Sequence, residues 1–229
     1  RDGVWSRLVD DPRVVGFTWS PDGQWVYYGT DRKSRDIFRC GVTGAGKPEL
    51  VHETGNLWAS VKDVSADGRV VIFTMLDPKN GRDLWILDTT SKTTLALAEG
   101  PANEFDARLS PDGMLVAIAS DESGRPELYV QNFPEARTRV RVSLSGLTVA
   151  DAGSPSAAAL RWTQDGSSIM FLDADGRTIR SAGISDKPVL HAAKPEPLMQ
   201  LPADLSQVDI APDGRSVFGV IPAEGQAPC

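Results

Sequence analysis

The chain has 229 residues, a formal charge of −7, 41% hydrophobic and 24% charged residues, which is enough apolar surface for a core and excludes disorder as the main reading. Its Lys and Arg are scattered through turns without clustering, so the sequence carries no basic footprint for nucleic acid, and no apolar stretch approaches the roughly 18 residues of a membrane span. Two cysteines, Cys40 and Cys229, cannot build a disulfide framework and leave the compartment open. The start at Arg1 rather than Met, and the end at Cys229 after Pro228, lead us to expect an excerpt of a longer, multi-domain protein, with residues 1–229 forming one domain.

Taken in chain order, four short hydrophobic runs separated by turn residues make the first unit: 14–20, 25–29, 36–40 and 48–51. Each is rich in Val, Ile, Phe, Tyr and Trp and is bounded by Gly, Pro, Asp or Ser, the pattern of a strand. The second unit repeats the order at 61–65, 70–75, 83–88 and 93–98, and the third at 105–110, 115–120, 127–132 and 139–143. The fourth is looser, at 160–163, 169–172, 178–183 and 197–201, and the fifth supplies only 208–211 and 216–221. Residues 5–9 are read as the outer strand of a preceding unit.

Between the first two strands of every unit stands an Asp-Gly pair: Asp22-Gly23, Asp67-Gly68, Asp112-Gly113, Asp165-Gly166 and Asp213-Gly214. The aspartates are 45, 45, 53 and 48 residues apart, a period of propeller blades rather than of helical repeats. The expected fold is therefore all-β, a β-propeller of four-stranded antiparallel blades, with about five in this chain, four complete and one partial. One strand, then sixteen, then two fall one short of five full blades. A ring that completes one blade from both chain ends and a segment of a six- to eight-bladed ring are both open, and the missing strand favours the second. The five aspartates are read as turn residues, since Gly accepts positive φ and Asp caps the backbone ahead of it whatever the protein does.

These repeats resemble the TolB-like propeller family, related to WD repeats, whose hallmark is an aromatic-Ser-Pro-Asp-Gly turn before an aromatic-rich strand. The segments Leu109-Ser-Pro-Asp-Gly, 119–130, Asn132-Phe-Pro134 and Leu160-Arg-Trp162 are most similar to propellers fused behind bacterial membrane-anchored serine/threonine kinases and to stand-alone periplasmic propellers. Ala66 and Gln164 replace the turn Pro and Ala211 replaces Ser, which weakens single turns. The resemblance implies an extracytoplasmic or periplasmic, non-enzymatic module that binds a protein or peptide or senses a ligand, although the residues leave a cytoplasmic location open. The alternative is the accessory, gating propeller of a prolyl-oligopeptidase-type serine peptidase. A propeller enzyme acting through its channel, a lyase or hydrolase, ranks third.

No catalytic set, metal site or cofactor is expected. The chain has no Gly-x-Ser-x-Gly elbow and no kinase signature. The loop 41–48 comes within one residue of a phosphate-binding loop but joins two strands, where such a loop needs a helix behind it. Asp173-Ala-Asp175-Gly176 lacks the ligand spacing of a calcium loop, and His52 and His191 have no partner at metal-ligand spacing. Two candidate surfaces remain. Thr18, Asp63, Arg108, Arg161 and Asp209 hold equivalent positions on successive innermost strands, where Asp63 with Arg108 and Arg161 with Asp209 would form ion pairs between blades. At the loops ahead of the third strands recur Arg35, Arg82, Arg125 and Arg177, with Asp36, Asp83 and Glu127 behind three of them, and the connection from His52 to Trp58 adds an imidazole and a large aromatic.

Overall fold

The computed structural model describes residues 8–9, 13–30, 35–43, 47–55, 57–77, 79, 81–149, 159–202, 205–211 and 213–220. Among them are nineteen β-strands and no helix. The chain divides into two compact units, Arg1–Ala102 and Asn103–Cys229.

In the first unit β1 (Val14–Trp19), β2 (Trp25–Thr30), β3 (Ile37–Gly41) and β4 (Glu49–His52) pair in sequence order. A second sheet repeats the arrangement with β5 (Trp58–Val64), β6 (Val70–Asp77), β7 (Gly81–Asp88) and β8 (Thr94–Ala98), and every pairing is antiparallel. This is the expected meander, because side chains alternate and each sheet buries the same two sets of positions. Tyr27, Ile37 and Val51 of the first sheet pack on Val61, Val64, Val71, Phe73 and Leu87 of the second. β5 starts at Trp58, earlier than the sequence suggests, and Ala59 is fully buried within it. Glycine makes that approach possible. A Cβ on Gly29 would lie 2.1 Å from the carbonyl oxygen of Ala59, so any larger residue there would push the two sheets apart.

In the second unit β9 (Glu104–Leu109), β10 (Leu115–Ser120), β11 (Glu127–Asn132) and β12 (Arg139–Arg141) form a four-stranded sheet. Next, β13 (Leu160–Trp162), β14 (Ser168–Leu172) and β15 (Thr178–Ser185) pair in order, and β15 takes two outer partners, β16 (His191–Ala192) and β17 (Glu196–Gln200). The sequence gives no hint of β16. It exists because β15 continues for eight residues, so its far end needs a separate partner, while Pro197 bends β17 at a bulge opposite Ile179 and Arg180. The fifth repeat contributes β18 (Ser206–Ile210) and β19 (Val217–Val220) as a hairpin. Ala117, Leu128 and Val130 pack on Leu160, Trp162 and Phe171, and Met170, Leu172 and Ile179 pack on Val208 and Ile210.

The third strands carry fully buried aliphatic side chains at or near their starts. Ile37, Leu84, Leu128 and Ile179 hold one equivalent position in the four complete repeats, and all are fully buried. The expected strand 5–9 lies in part outside the described residues; Leu8 and Val9 pack against Val26, Tyr28 and Cys40. Cys40 is a free, buried thiol, and Cys229 lies outside the described residues.

Candidate functional site

The Asp-Gly turns form self-contained hydrogen-bonded loops. In the first, Ser20 Oγ donates to Asp22 Oδ1 and accepts from the Trp25 amide at 2.9 Å, the Gln24 amide donates to Asp22 Oδ1 at 3.0 Å, and Gly23 adopts a φ of 67°. The same set recurs at Ser65/Asp67, Ser110/Asp112 and Thr163/Asp165, with φ of 70° at Gly68, Gly113 and Gly166. Asp213 keeps the amide bond, from Arg215 at 2.9 Å, and Gly214 keeps a φ of 65°, but Ala211 has no hydroxyl to offer. The Ser20 hydroxyl and the Gln24 amide hold the Asp22 carboxyl below its ordinary range, and the Asp67 and Asp112 carboxyls are lowered in the same way. Thr163 and Ser167 bring Asp165 down to about 2. In each of these turns the aspartate Oδ1 is bound to the turn's own backbone, which is a structural assignment.

The loops ahead of the third strands hold a different kind of acid. Asp36, Asp83 and Glu127 each precede the fully buried aliphatic of the third strand and are themselves buried. Asp36 accepts from the Thr54 amide at 3.1 Å, Asp83 from the Gly100 amide at 3.2 Å and Glu127 from the Ser143 hydroxyl. Each therefore fastens the segment that leaves the outer strand back to the body of its sheet. The fourth repeat has Thr178 there, and its hydroxyl lies 3.2 Å from Gln200 Oε1 on β17. The arginines singled out with these acids have separate fates. Arg125 Nε donates to Glu127 Oε1 at 2.7 Å and its Nη2 to the Leu144 carbonyl at 3.1 Å, so it serves as the acid's counter-ion. Arg82 is buried, which pulls its guanidinium below the ordinary arginine value. Arg35 is exposed, with a φ of 48°, and its carbonyl accepts from Thr54 Oγ1 at 2.9 Å. The Arg177 amide donates to Asp175 Oδ1 at 2.8 Å.

On the innermost strands, Arg161 Nη2 meets Asp209 Oδ1 at 2.7 Å and Arg161 Nε donates to the Ile210 carbonyl at 2.9 Å, so this inter-strand pair forms. Both partners are partly exposed, and such a pair is worth at most about 1 kcal/mol. Arg108 Nη1 lies 3.0 Å from Asp106 Oδ1, and Trp162 Nε1 donates to the Arg108 carbonyl at 3.0 Å. Asp106, two residues before Arg108 and fully buried, was not singled out in the sequence; the buried acid-x-arginine spacing on one strand was its only signal. Asp63 belongs to the first unit, where its carboxylate accepts from the Val64 amide at 2.9 Å. Thr18 is on β1 opposite Tyr27.

His52 and Trp58 stand at the end of β4 and the start of β5, both half-buried. The His52 ring lies 5.8 Å from that of Phe73, and burial lowers its imidazole below the ordinary value. Trp58 pairs with the exposed Leu76, which pairs in turn with Arg82. Arg35, His52, Trp58 and Leu76 thus share one end of the first unit's two sheets.

The other sequence constellations resolve into hairpins. Asp173 is bound by Arg180, by Ser145 Oγ at 2.9 Å and by the Ala174 amide at 2.9 Å; burial opposes its ionisation, but these donors together hold its carboxyl below the ordinary range. Asp175 accepts from the Thr178 amide at 2.8 Å and from its hydroxyl. Residues 44–46 of the glycine-rich loop lie outside the described residues, and His191 is exposed on β16. Among the described residues no group of three or more His, Cys, Asp or Glu is placed to hold a metal ion, and no helix is long and apolar enough to cross a membrane.

No family model matches the chain. Among solved structures it is similar to TolB from Acinetobacter baumannii, with 20% identity and a TM-score of 0.62 over 90% of this chain and 48% of that one. It is also similar to a putative TolB from Agrobacterium tumefaciens, with 20% identity and a TM-score of 0.60 over 89% of this chain and 72% of that one. An oligogalacturonate lyase in complex with manganese matches at 12% identity and a TM-score of 0.64, over 91% of this chain and 59% of that one. The chain spans about half the length of the Acinetobacter protein. At these identities the likeness shows the fold alone, and together with the repeated four-stranded sheets it makes this chain an all-β β-propeller, four blades complete and a fifth partial.

Proposed function

We propose that the chain is a non-enzymatic propeller module that binds a protein or peptide, or senses a ligand, within an extracytoplasmic bacterial protein that carries other domains. The observation that carries this reading is the end of the first unit at Arg35, His52, Trp58 and Leu76. There a half-buried indole, an imidazole, an exposed leucine and an exposed guanidinium stand on rigid strand ends. Aromatic anchors and arginine on a supported surface are the residue types that dominate protein recognition. Of the recurrent acids, those of the Asp-Gly turns serve their own loops, and Asp36 holds the Thr54 amide beneath this end, so the connection from His52 to Trp58 is a supported surface. The TolB proteins among the fold neighbours support the extracytoplasmic setting by likeness, and the kinase-fused propellers that the sequence resembles support the setting beside other domains.

The test is display selection of peptides on the purified chain, followed by affinity measurement with the selected peptide and two variants. Trp58→Ala should weaken binding by about ten- to thirtyfold and Arg35→Ala by about threefold, with unchanged thermal melting for Arg35→Ala. Equal affinity in the parent and both variants would remove this surface as the binding site.

A further inference from the structure

The five Asp-Gly turns share a backbone but not a full set of ties. In every one the glycine amide donates to the carbonyl three residues back, and the amide after the glycine donates to the aspartate Oδ1. In the first four a Ser or Thr hydroxyl adds two more bonds, donating to the aspartate and accepting from the amide that opens the next strand. Ala211 offers neither, so among the described residues Asp213 keeps only the Arg215 amide, at 2.9 Å. Its hairpin also has the least support. Among the described residues β18 and β19 form a sheet of two, where each of the other four turns joins strands of a larger sheet. A two-stranded ribbon opens at lower cost than strands held on both sides. Asp175-Gly176, outside the series, is held by two amides on Oδ1 at 2.8 Å and by the Thr178 hydroxyl on Oδ2.

An Asp-Gly pair can rearrange with no co-reactant but water. The glycine nitrogen attacks the carbon of the protonated carboxyl, a C–N bond forms, and the carboxyl hydroxyl leaves with the amide proton as one water. Water then opens the five-membered imide at either carbonyl. One opening returns aspartate and the other gives isoaspartate, in which the main chain runs through the former side chain, with no net change in mass or oxidation state. Glycine favours the step because it brings no Cβ to the closing ring. The folded turn opposes it twice, by engaging the glycine nitrogen with a carbonyl and by keeping the carboxyl ionised. In the first four turns the Ser or Thr hydroxyl is the largest cause of that ionisation, and it is what the fifth lacks.

We propose that, of the five repeat turns, Asp213-Gly214 is the one that converts to isoaspartate, at a rate set by the hydroxyl that residue 211 lacks. The product adds a main-chain carbon to the turn and withdraws the acceptor from the Arg215 amide, which loosens β18 from β19. Asp67 is the matched comparison, because both acids stand in Asp-Gly-Arg and the chemistry after the acid is the same. The experiment ages the folded chain at pH 5 and 37 °C and measures isoaspartate residue by residue by electron-transfer mass spectrometry, so that Asp2-Gly3 and Asn80-Gly81 are scored separately. Isoaspartate should form at Asp213 about five- to tenfold faster than at Asp67. Ala211→Ser should slow Asp213 by about threefold or more, and Ser65→Ala should speed Asp67 by a similar factor. In urea the two acids of the parent should react at equal rates. Equal rates in the folded chain would overturn the proposal, as would an unchanged rate at Asp213 in Ala211→Ser or at Asp67 in Ser65→Ala. So would a preference for Asp213 that survives in urea, which would assign it to sequence and not to the turn.

Discussion

Two sets of repeated acids occupy opposite ends of the same strands and do opposite things. Asp22, Asp67, Asp112 and Asp165 sit in the turns between first and second strands, exposed, with donors two residues away in sequence. Asp36, Asp83 and Glu127 sit ahead of the third strands, buried, with partners 16 to 18 residues away. The first set shapes a local loop that water could also solvate. The second closes a long segment onto its sheet inside a desolvated site, where an unmet donor or acceptor is costly. A periodic acid is thus informative about the fold in both cases, and its energetic weight follows from burial and reach rather than from how often it recurs.

The largest expected effect comes from the buried set. Glu127→Ala removes the acceptor for Ser143, strips Arg125 of its counter-ion and leaves a void beside the fully buried Leu128, so it should cost about 2–4 kcal/mol in urea denaturation. Glu127→Gln keeps the shape and one acceptor and should cost less than half as much. If the alanine variant melts with the parent, the contrast between the two sets collapses.

Ser110→Ala comes next. The Ser110 hydroxyl is buried, accepts from the Leu115 amide at 2.9 Å and donates to Asp112, so its loss should cost about 1–2 kcal/mol by the same assay. The reverse change is available in the fifth repeat. Ala211→Ser restores a hydroxyl where the Gly214 amide still donates to residue 211 at 2.9 Å and the Asp213 carboxylate still caps Arg215, and should add about 0.5–1 kcal/mol. A destabilised Ala211→Ser would mean that the fifth turn lacks room for the shared geometry.

Most of this fold was legible because its signals are local. The Asp-Gly pairs, their spacing and the β-branched runs mark four strands per repeat, and the strand ends fall within three residues of expectation through the first three repeats. What escaped reading depends on contacts distant in sequence. β16 is formed because β15 outruns β17, and the early start of β5 rests on Gly29 letting a backbone come within reach of Ala59. In the candidate site, the Arg161–Asp209 pair was legible from equivalent positions on neighbouring strands. Spacing alone does not reveal that Arg82 is buried or that Arg125 pairs with the buried Glu127.

The smallest effect concerns the turn acids and shows itself only in acid. Thr163 Oγ1 and the Ser167 amide stabilise the ionised form of Asp165 and lower its carboxyl from 3.8 to about 2 in the folded chain. A folded value below the unfolded one means the unfolded chain takes up a proton first. The stabilisation is therefore complete above about pH 4 to 5 and is lost as pH falls toward 2, with Asp22, Asp67 and Asp112 contributing in the same direction. Urea melts at pH 6, 4, 3 and 2 should show Asp165→Asn less stable than the parent at pH 6 and converging on it at pH 2, because the parent's carboxyl is then substantially protonated. Glu127→Ala should keep most of its deficit across the same series, since the void it leaves does not titrate. A deficit for Asp165→Asn that stays constant down to pH 2 would show that the turn needs the shape of aspartate and not its charge, which would bring the two sets of acids closer together than their burial implies.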